Sequence, residues 1–143
     1  MLRIAKLTDY ATVLMVQLSL SPERRVSAQQ LAVELGLPQP TVAALLKKLG
    51  RAGLVDSLRG AGGGYSLTRP PTAISLADVV AAIEGPVAMT ACALANGHCD
   101  LEKDCLTRDH WRYVNQRVQA TLALMNLADM ARPPAKLRRM DNG

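Results

Sequence analysis

The 143-residue chain contains no phenylalanine, one tryptophan and three tyrosines, although almost half of its residues are hydrophobic. Its core must therefore be built from leucine, valine, alanine and isoleucine. Such residues pack well between helices, whereas the strands of a β-sandwich are rich in aromatic side chains. The hydrophobic content is too high for a disordered chain, and the length fits one small domain with an accessory helix.

The chain also lacks a hydrophobic run of the ~20 residues that a membrane-spanning helix needs. Its most apolar stretch, residues 11–20, is interrupted by Gln17 and is not followed by a signal-peptide cleavage site. Three cysteines, an odd number, are not typical of a secreted disulfide framework. We therefore expect a cytoplasmic protein without a membrane partner.

The positive charge of the chain lies in its first half. Residues 1–70 carry nine basic and four acidic side chains, whereas residues 71–143 carry eight of each. The whole net charge of +5 thus belongs to the first half. This polarity indicates that an anionic partner docks there.

Three helices are predicted in the first half. Thr8 is expected to be the N-cap of a helix over residues 8–20. Ser27 is expected to cap a second helix that stops at Gly36, because glycine readily adopts the left-handed conformation that ends helices. A third helix is expected over residues 40–52. The short turn between the second and third helices is typical of a helix-turn-helix.

Two short strand-like runs, residues 54–58 and 65–68, follow the third helix. The loop between them carries Arg59 and four glycines, a composition that can close a tight hairpin. This order of helices and hairpin predicts a mainly α winged helix-turn-helix with a small β-hairpin wing. Arg59, at the wing tip, is expected to enter the minor groove of DNA.

The third helix is predicted to bind in the major groove of DNA. Gln39 and Thr41 lie at its N-terminal end, where side chains meet base edges. Lys47, Lys48 and Arg51 lie further along and are expected to contact phosphates. A solvated basic face on an ordinary helical bundle is the alternative interpretation.

The second half contains a short helix, a segment without periodicity and a long helix. Ser75 and Asp78 predict a capping box for a helix over residues 76–84. The long helix is predicted from Thr107 to about Met130. Its apolar residues recur at three- and four-residue steps, namely Trp111, Val114, Val118, Leu122, Met125 and Ala128. This stripe fits the seam of a helical dimer, or else a face packed within the chain.

The aperiodic segment contains all three cysteines, Cys92, Cys99 and Cys105, which span fourteen residues. Three thiolates can ligate zinc or an iron–sulfur cluster, and either centre needs a fourth ligand. Zinc sites usually contain a tighter pair of cysteines, so the wide spacing favours a cluster. Candidates for the fourth ligand are His98, His110 and carboxylates such as Asp9.

Burial as inert side chains and a thiol–disulfide switch are the alternatives for these cysteines. The segment is polar, which disfavours burial. Its acidic residues Asp100, Glu102 and Asp104 are expected to raise the pKa of the neighbouring thiols. A reactive thiolate without a metal is therefore disfavoured.

Several segments of the chain resemble the Rrf2 family of transcriptional regulators. They are the start Lys6-Leu7-Thr8-Asp9-Tyr10, the run Gly53-Leu54-Val55, the wing tip Arg59-Gly60-Ala61-Gly62-Gly63-Gly64-Tyr65, and the three-cysteine segment with its long helix. The resemblance covers nearly the whole chain. The Leu-Thr-Asp-Tyr start, the cysteine spacing and the stretch from Cys105 to His110-Trp111-Arg112 are most similar to the branch that regulates SUF-type iron–sulfur cluster assembly.

The resemblance implies a homodimeric transcription factor that binds a pseudo-palindromic operator in double-stranded DNA. It further implies a repressor whose DNA affinity is set by a [2Fe–2S] or [4Fe–4S] cluster, with the three cysteines as ligands. Asp9 falls where NsrR-like members supply an aspartate from the partner subunit. The position of the histidine ligand of IscR-like members is Arg108 here, and His110 lies two residues further on.

The resulting hypothesis is an iron–sulfur-sensing regulator of cluster-assembly genes. A nitric-oxide-sensing repressor on the same scaffold and a zinc-stabilised DNA-binding module without sensing are the alternatives. An enzyme is not expected, because no nucleophile–base pair is present and the glycine run does not open a helix. The predicted units are a DNA-binding domain (1–70), a short helix with the cluster segment (71–106), a dimerisation helix (107–131) and a basic, disordered tail (132–143).

Overall fold

The computed structural model describes residues 2–101 and 103–132 of the chain. Within these ranges it contains six α-helices and one β-hairpin. The elements are α1 (Lys6–Ser19), α2 (Ala28–Leu35), α3 (Gln39–Arg51), β1 (Val55–Leu58), β2 (Gly64–Leu67), α4 (Leu76–Glu84), α5 (Arg108–Leu124) and α6 (Leu127–Met130). The predicted mainly helical architecture with a small hairpin is confirmed.

Helices α2 and α3 form the predicted helix-turn-helix. The Ser27 hydroxyl accepts a hydrogen bond from the Gln30 amide at 3.1 Å and caps α2. Gly36 ends α2 with a left-handed φ of 65°, as predicted. The turn between the two helices consists of Gly36, Leu37 and Pro38, and α3 begins at the next residue, Gln39.

The hydrophobic core lies where α1, α2 and α3 meet the start of α4 and the C-terminal α6. It consists of aliphatic side chains and one methionine, as the lack of phenylalanine predicts. Its largest fully buried hydrophobic members are Leu14, Met15, Leu31, Leu45, Leu46, Leu49, Ile74 and Leu127. The core therefore belongs to the winged-helix part of the chain, and only Asn115 is buried among the residues of α5.

The wing is an antiparallel hairpin fastened to the segment before α2. The Val26 amide donates to the Tyr65 carbonyl at 3.0 Å, and the Tyr65 amide donates to the Val26 carbonyl at 2.7 Å. Gly64 lies against this bridge with a φ of 131°, and a Cβ there would be within 3 Å of the Val26 backbone. Glycine is therefore required at position 64 both for its conformation and for the close approach.

Thr8 is not the N-cap of α1, and this prediction is wrong. The helix begins at Lys6, and Thr8 lies in its first turn with no exposed surface. Its hydroxyl donates a hydrogen bond to the carboxylate of Glu84 at the end of α4. The side chain therefore joins two helices instead of accepting a hydrogen bond from a backbone amide.

The long C-terminal helix ends at Leu124, earlier than predicted. The Leu76 amide donates to the Met125 carbonyl at 2.7 Å, and the Leu127 amide donates to the Ile74 carbonyl at 3.0 Å. These bonds turn the chain away from α5. A capping box then starts α6, because the Asn126 side chain accepts from the Asp129 amide. Met125 and Ala128 therefore do not continue the apolar stripe of α5.

The predicted basic tail falls, apart from Arg132, outside the described residues. Among residues 2–101 and 103–132, no helix combines the length and the hydropathy needed to cross a lipid bilayer.

Replacing Leu127 by alanine is expected to lower the free energy of unfolding by about 2–5 kcal/mol, because the side chain is completely buried in the core. The matched control is Leu124→Ala, since Leu124 is 79% exposed three residues earlier. Urea denaturation followed by circular dichroism measures both variants. Equal unfolding free energies for the two would contradict the packing of α6 into the core.

Candidate DNA-binding face and cysteine segment

The outer face of α3 carries most of the predicted DNA-contacting residues. Its inner face is formed by four buried residues, Val42, Leu45, Leu46 and Leu49. Those on the exposed surface of α3 are Gln39, Lys47, Lys48 and Arg51, and Arg59 is exposed at the wing tip. Thr41 is half-buried and lines a groove beside Leu7 of α1.

The basic residues of the first half differ in whether a carboxylate of the chain pairs with them. Arg25 pairs with Asp56 at 3.6 Å, and Arg69 pairs with Asp78 at 3.6 Å, so these arginines fasten the wing and α4 to the fold. By contrast, the cations of α3 and of the wing tip have no ion-pair partner among the residues that the structure describes. Their positive charge is therefore available to an anionic ligand.

The segment between α4 and α5 carries the three cysteines and is called the cysteine segment. Two amide side chains hold its start against α5. The buried Asn115 accepts a hydrogen bond from the Met89 amide at 3.0 Å through its Oδ1. Gln119 donates from its Nε2 to the Val87 carbonyl at 2.9 Å. Sequence reasoning missed both residues, although their four-residue spacing beside the apolar stripe of α5 marks them as one polar pair on a packed face.

Gly97 makes a close approach that shapes the same segment. A Cβ at this position would be 1.7 Å from the Ala91 carbonyl oxygen. The Gly97 amide donates to the Leu94 carbonyl at 3.2 Å and closes the turn that follows a short 3₁₀ helix, Ala91–Ala93. The Asn96-Gly97 dipeptide is a turn signal that sequence reasoning also passed over.

All three cysteines are free thiols, and each is half-exposed. Cys92 Sγ lies 3.1 Å from the Thr90 hydroxyl, and Cys105 Sγ lies 3.5 Å from the Thr107 hydroxyl. They are neither joined in disulfides nor buried, so three thiol donors are accessible in one short segment. Cysteine thiolates are the usual ligands of iron–sulfur clusters, so the chemistry of these donors fits such a cluster.

The structure does not assemble a ligand set from these donors. No group of three histidine, cysteine, aspartate or glutamate side chains within residues 2–101 and 103–132 is arranged to hold a metal ion. The candidates for a fourth ligand, Asp9, His98 and His110, are all exposed. Asp9 lies on α1 and lines a shallow groove with Arg3 and Lys6.

The pKa of the Cys105 thiol is lowered, in contrast to the expected effect of the acidic neighbours. The hydroxyl of Thr107 is the main cause, and the backbone amides of Thr107 and Arg108 add to it. These groups lie at the N-terminus of α5, where backbone amides and the helix dipole stabilise a thiolate. For this thiol the prediction of a raised pKa is therefore wrong.

Comparisons with known proteins agree with this architecture. The profile of a family described as "Rrf2: Iron-dependent Transcriptional regulator" matches residues 4–133. The regulator IscR of Vibrio cholerae is 32% identical over 130 residues, which are 90% of this chain and 75% of that protein. An HTH-type regulator of Neisseria meningitidis serogroup A is 41% identical over 83 residues, which are 58% of this chain. The matched region spans only about half (55%) of that relative.

Two solved structures have similar folds. CymR of B. subtilis, titled the global cysteine regulator, superposes with a TM-score of 0.70 at 29% identity, over 92% of this chain and 97% of that one. IscR of T. potens superposes with a TM-score of 0.70 at 32% identity, over 90% of this chain and 85% of that one. The predictions of a winged helix and of a regulator instead of an enzyme are thereby confirmed.

In metal-free protein at neutral pH, Cys105 is expected to react with iodoacetamide faster than an ordinary exposed thiol, because its lowered pKa increases the thiolate fraction. Thr107→Val is expected to slow this reaction several-fold and to shift its pH midpoint upward. Mass spectrometry of the alkylated peptides measures the rate at each pH.

The control is Thr121→Val, which removes a hydroxyl of α5 that donates to the Arg117 carbonyl. It is expected to leave the pH midpoint of Cys105 unchanged. An identical pH midpoint in wild type and Thr107→Val would exclude the Thr107 hydroxyl as the cause of the lowered pKa of Cys105.

Proposed function

The chain belongs to the Rrf2 family of winged-helix transcriptional regulators, and from this premise we propose that it is a repressor that senses iron–sulfur status through Cys92, Cys99 and Cys105. The observation that carries the proposal is the presence of three accessible, free thiols in a segment clamped to the helix behind the DNA-binding fold. The description of the matching family as iron-dependent supports it.

In this proposal α3 lies in the major groove of the operator and the wing tip lies beside the minor groove. Gln39 and Thr41 face base edges, while Lys47, Lys48 and Arg51 contact phosphates. Arg59 extends from the wing tip. The absence of ion-pair partners for these cations among the described residues supports this role, since no intramolecular acid has to be displaced before DNA binds.

The cysteine segment is connected to the DNA-binding fold through α5. Asn115 and Gln119 hold the start of the segment against this helix. At its other end, α5 is followed after two residues by Leu127, the first residue of α6, whose side chain is part of the winged-helix core. A change of conformation at the cysteines is therefore transmitted to the placement of α3 through packed elements.

An iron–sulfur cluster, when bound, would supply the sensitivity to redox state and iron supply that thiols and carboxylates lack. We propose the three cysteines as its protein ligands on this chain. We propose Asp9 of a second copy as the fourth ligand, because the carboxylate is exposed on α1 and the family resemblance implies this role. His98 and His110 are the competing donors.

A homodimer formed through α5 is part of the same proposal. Trp111 is 42% exposed and Val114 is 40% exposed on this helix, so two large apolar side chains of its stripe are open to a partner. Val114 also lines a shallow groove with Tyr113 and Leu122, which a second copy of α5 would fill. A dimer places two copies of α3 on a pseudo-palindromic operator.

The proposed target genes are those for iron–sulfur cluster assembly of the SUF type, on the basis of the cysteine spacing. A nitric-oxide-sensing repressor would use the same residues, and it is distinguished by loss of DNA binding on exposure to nitric oxide. A zinc-stabilised module would bind DNA with the same affinity in all redox states.

The second candidate is a thiol-based sensor, and Cys105 favours it. Its pKa is lowered and its side chain is accessible, so it has the thiolate character of a redox-sensitive cysteine. The structural likeness to CymR, the global cysteine regulator of B. subtilis, is consistent with such a role.

Anaerobically purified protein is expected to be brown, with iron and sulfide in matching amounts and no stoichiometric zinc. Cys99→Ser is expected to lose the colour and to bind operator DNA with a different affinity from the loaded wild type. The control is Ala95→Ser, an exposed position in the same segment. Visible absorption, metal and sulfide assays and fluorescence anisotropy are measured on the same samples.

A colourless protein with one zinc per chain would contradict cluster sensing and support the zinc-stabilised module. A colourless, metal-free protein whose DNA affinity changes on oxidation would support the thiol sensor. Equal operator affinity of Cys99→Ser and loaded wild type would contradict the coupling between the cysteines and α3.

Val114→Glu is expected to convert the dimer into a monomer, because it introduces a charge into the apolar seam of α5. Ala123→Glu is the matched control, since position 123 is exposed and lies on the opposite side of the same helix. Sedimentation equilibrium measures the mass. An unchanged dimer in Val114→Glu would exclude this face as the interface.

A further inference from the structure

The exposed start of α3 is apolar apart from one side chain. Pro40, Ala43 and Ala44 are exposed in its first two turns, and none of their side chains has a hydrogen-bonding group. Gln39 is the one exposed side chain there that can both donate and accept. The first exposed cation of the helix is Lys47, two turns from its beginning.

This apolar surface continues into a groove between α1 and α3. The groove has a volume of about 300 Å³, and its walls include Leu7 of α1 and Pro40, Thr41 and Ala44 of α3. Leu7 is 47% exposed, so the groove is open to a ligand that approaches α3 from outside. Lys48 lies at its edge.

The charge around this surface favours DNA as its occupant. Lys47 and Arg51 follow along the same helix, and Lys48 borders the groove. None of the three has an ion-pair partner within the described parts of the chain. An apolar patch next to such cations matches the major groove of DNA, where base edges lie between two rows of phosphates.

Thymine is the base that presents an apolar group in the major groove, its 5-methyl group. Guanine presents two acceptors, which arginine or lysine usually recognises, and α3 has neither residue in its first two turns. Glutamine pairs with adenine through its amide. The start of α3 therefore has the side chains for A·T pairs and lacks the usual ones for G·C pairs.

We propose that Pro40, Ala43 and Ala44 form a specificity surface that contacts thymine methyl groups, with Gln39 directed to an adjacent adenine. This proposal rests on the proposed function, because it requires that α3 enters the major groove. It assigns the sequence class of the operator, namely half-sites whose contacted core consists of A·T pairs.

The test begins with selection of bound sequences from a random double-stranded DNA library by the full-length, anaerobically purified protein. Each thymine of the selected half-site is then replaced by deoxyuridine, which lacks only the 5-methyl group. Loss of one contacted methyl is expected to weaken binding about fourfold. Fluorescence anisotropy measures the dissociation constants.

Two variants separate methyl contact from general affinity. The quantity compared is the dissociation constant of the deoxyuridine duplex divided by that of the thymine duplex. Ala44→Ser places a hydroxyl against the methyl and is expected to reduce this ratio towards one. Lys47→Ala is expected to weaken binding to all sequences, to lower the slope of the salt dependence by about one and to keep the ratio of wild type. A selected half-site with a G·C core, or a ratio of one in the wild type, would overturn the specificity surface.

Those outcomes leave the proposed function intact, because the protein would still bind a specific operator. If the protein selects no sequence and shows no salt-dependent binding to any duplex in any cluster state, DNA binding by α3 fails and the specificity surface fails with it. If Ala44→Ser does not fold, the deoxyuridine series with the wild-type protein still tests whether thymine methyl groups are contacted.

Discussion

The packing of Leu127 against the winged-helix core is the contact on which the arrangement of the two halves depends. Two backbone hydrogen bonds beside it, Leu76 to Met125 and Leu127 to Ile74, return the chain from the end of α5 to the core. Helix α5 also packs against α4. The side chains of Asn115 and Gln119 join it to the start of the cysteine segment. The cysteine segment, which is held against α5, is thereby connected to the core that positions α3.

The distribution of charge separates structural from available cations. Arg25 and Arg69 form ion pairs with Asp56 and Asp78 that fasten the wing and α4, while the cations of α3 face solvent. This division explains why the total charge of the first half overstates the charge that a ligand meets. It also places the available charge around an apolar patch, so that electrostatic attraction and base discrimination come from different side chains.

Local sequence signals predicted the helices that contain their own caps, such as Ser27 with Gly36 and Ser75 with Asp78. They failed where a distant partner decides the structure. Thr8 looks like a cap in sequence, but its hydroxyl reaches Glu84, 76 residues away. The apolar period of α5 runs on to Ala128, but bonds to residues 74 and 76 break the helix. The spacing of the cysteines marks them as candidate ligands, and that assignment stays a prediction. Asn115 and Gly97 could be recognised as supporting residues only through their contacts.

The four glycines of the wing are not equivalent. Gly63 and Gly64 are crowded by the backbone of Leu58 and Val26, whereas an added Cβ at Gly60 or Gly62 would meet open space. Gly60 is nevertheless restricted by its φ of 99°, which leaves position 62 as the permissive one. The part of the wing loop next to β2 therefore requires glycine, whereas position 62 has room for a side chain. A side chain introduced at position 62 would therefore extend the surface that the wing presents to DNA without a clash with the fold.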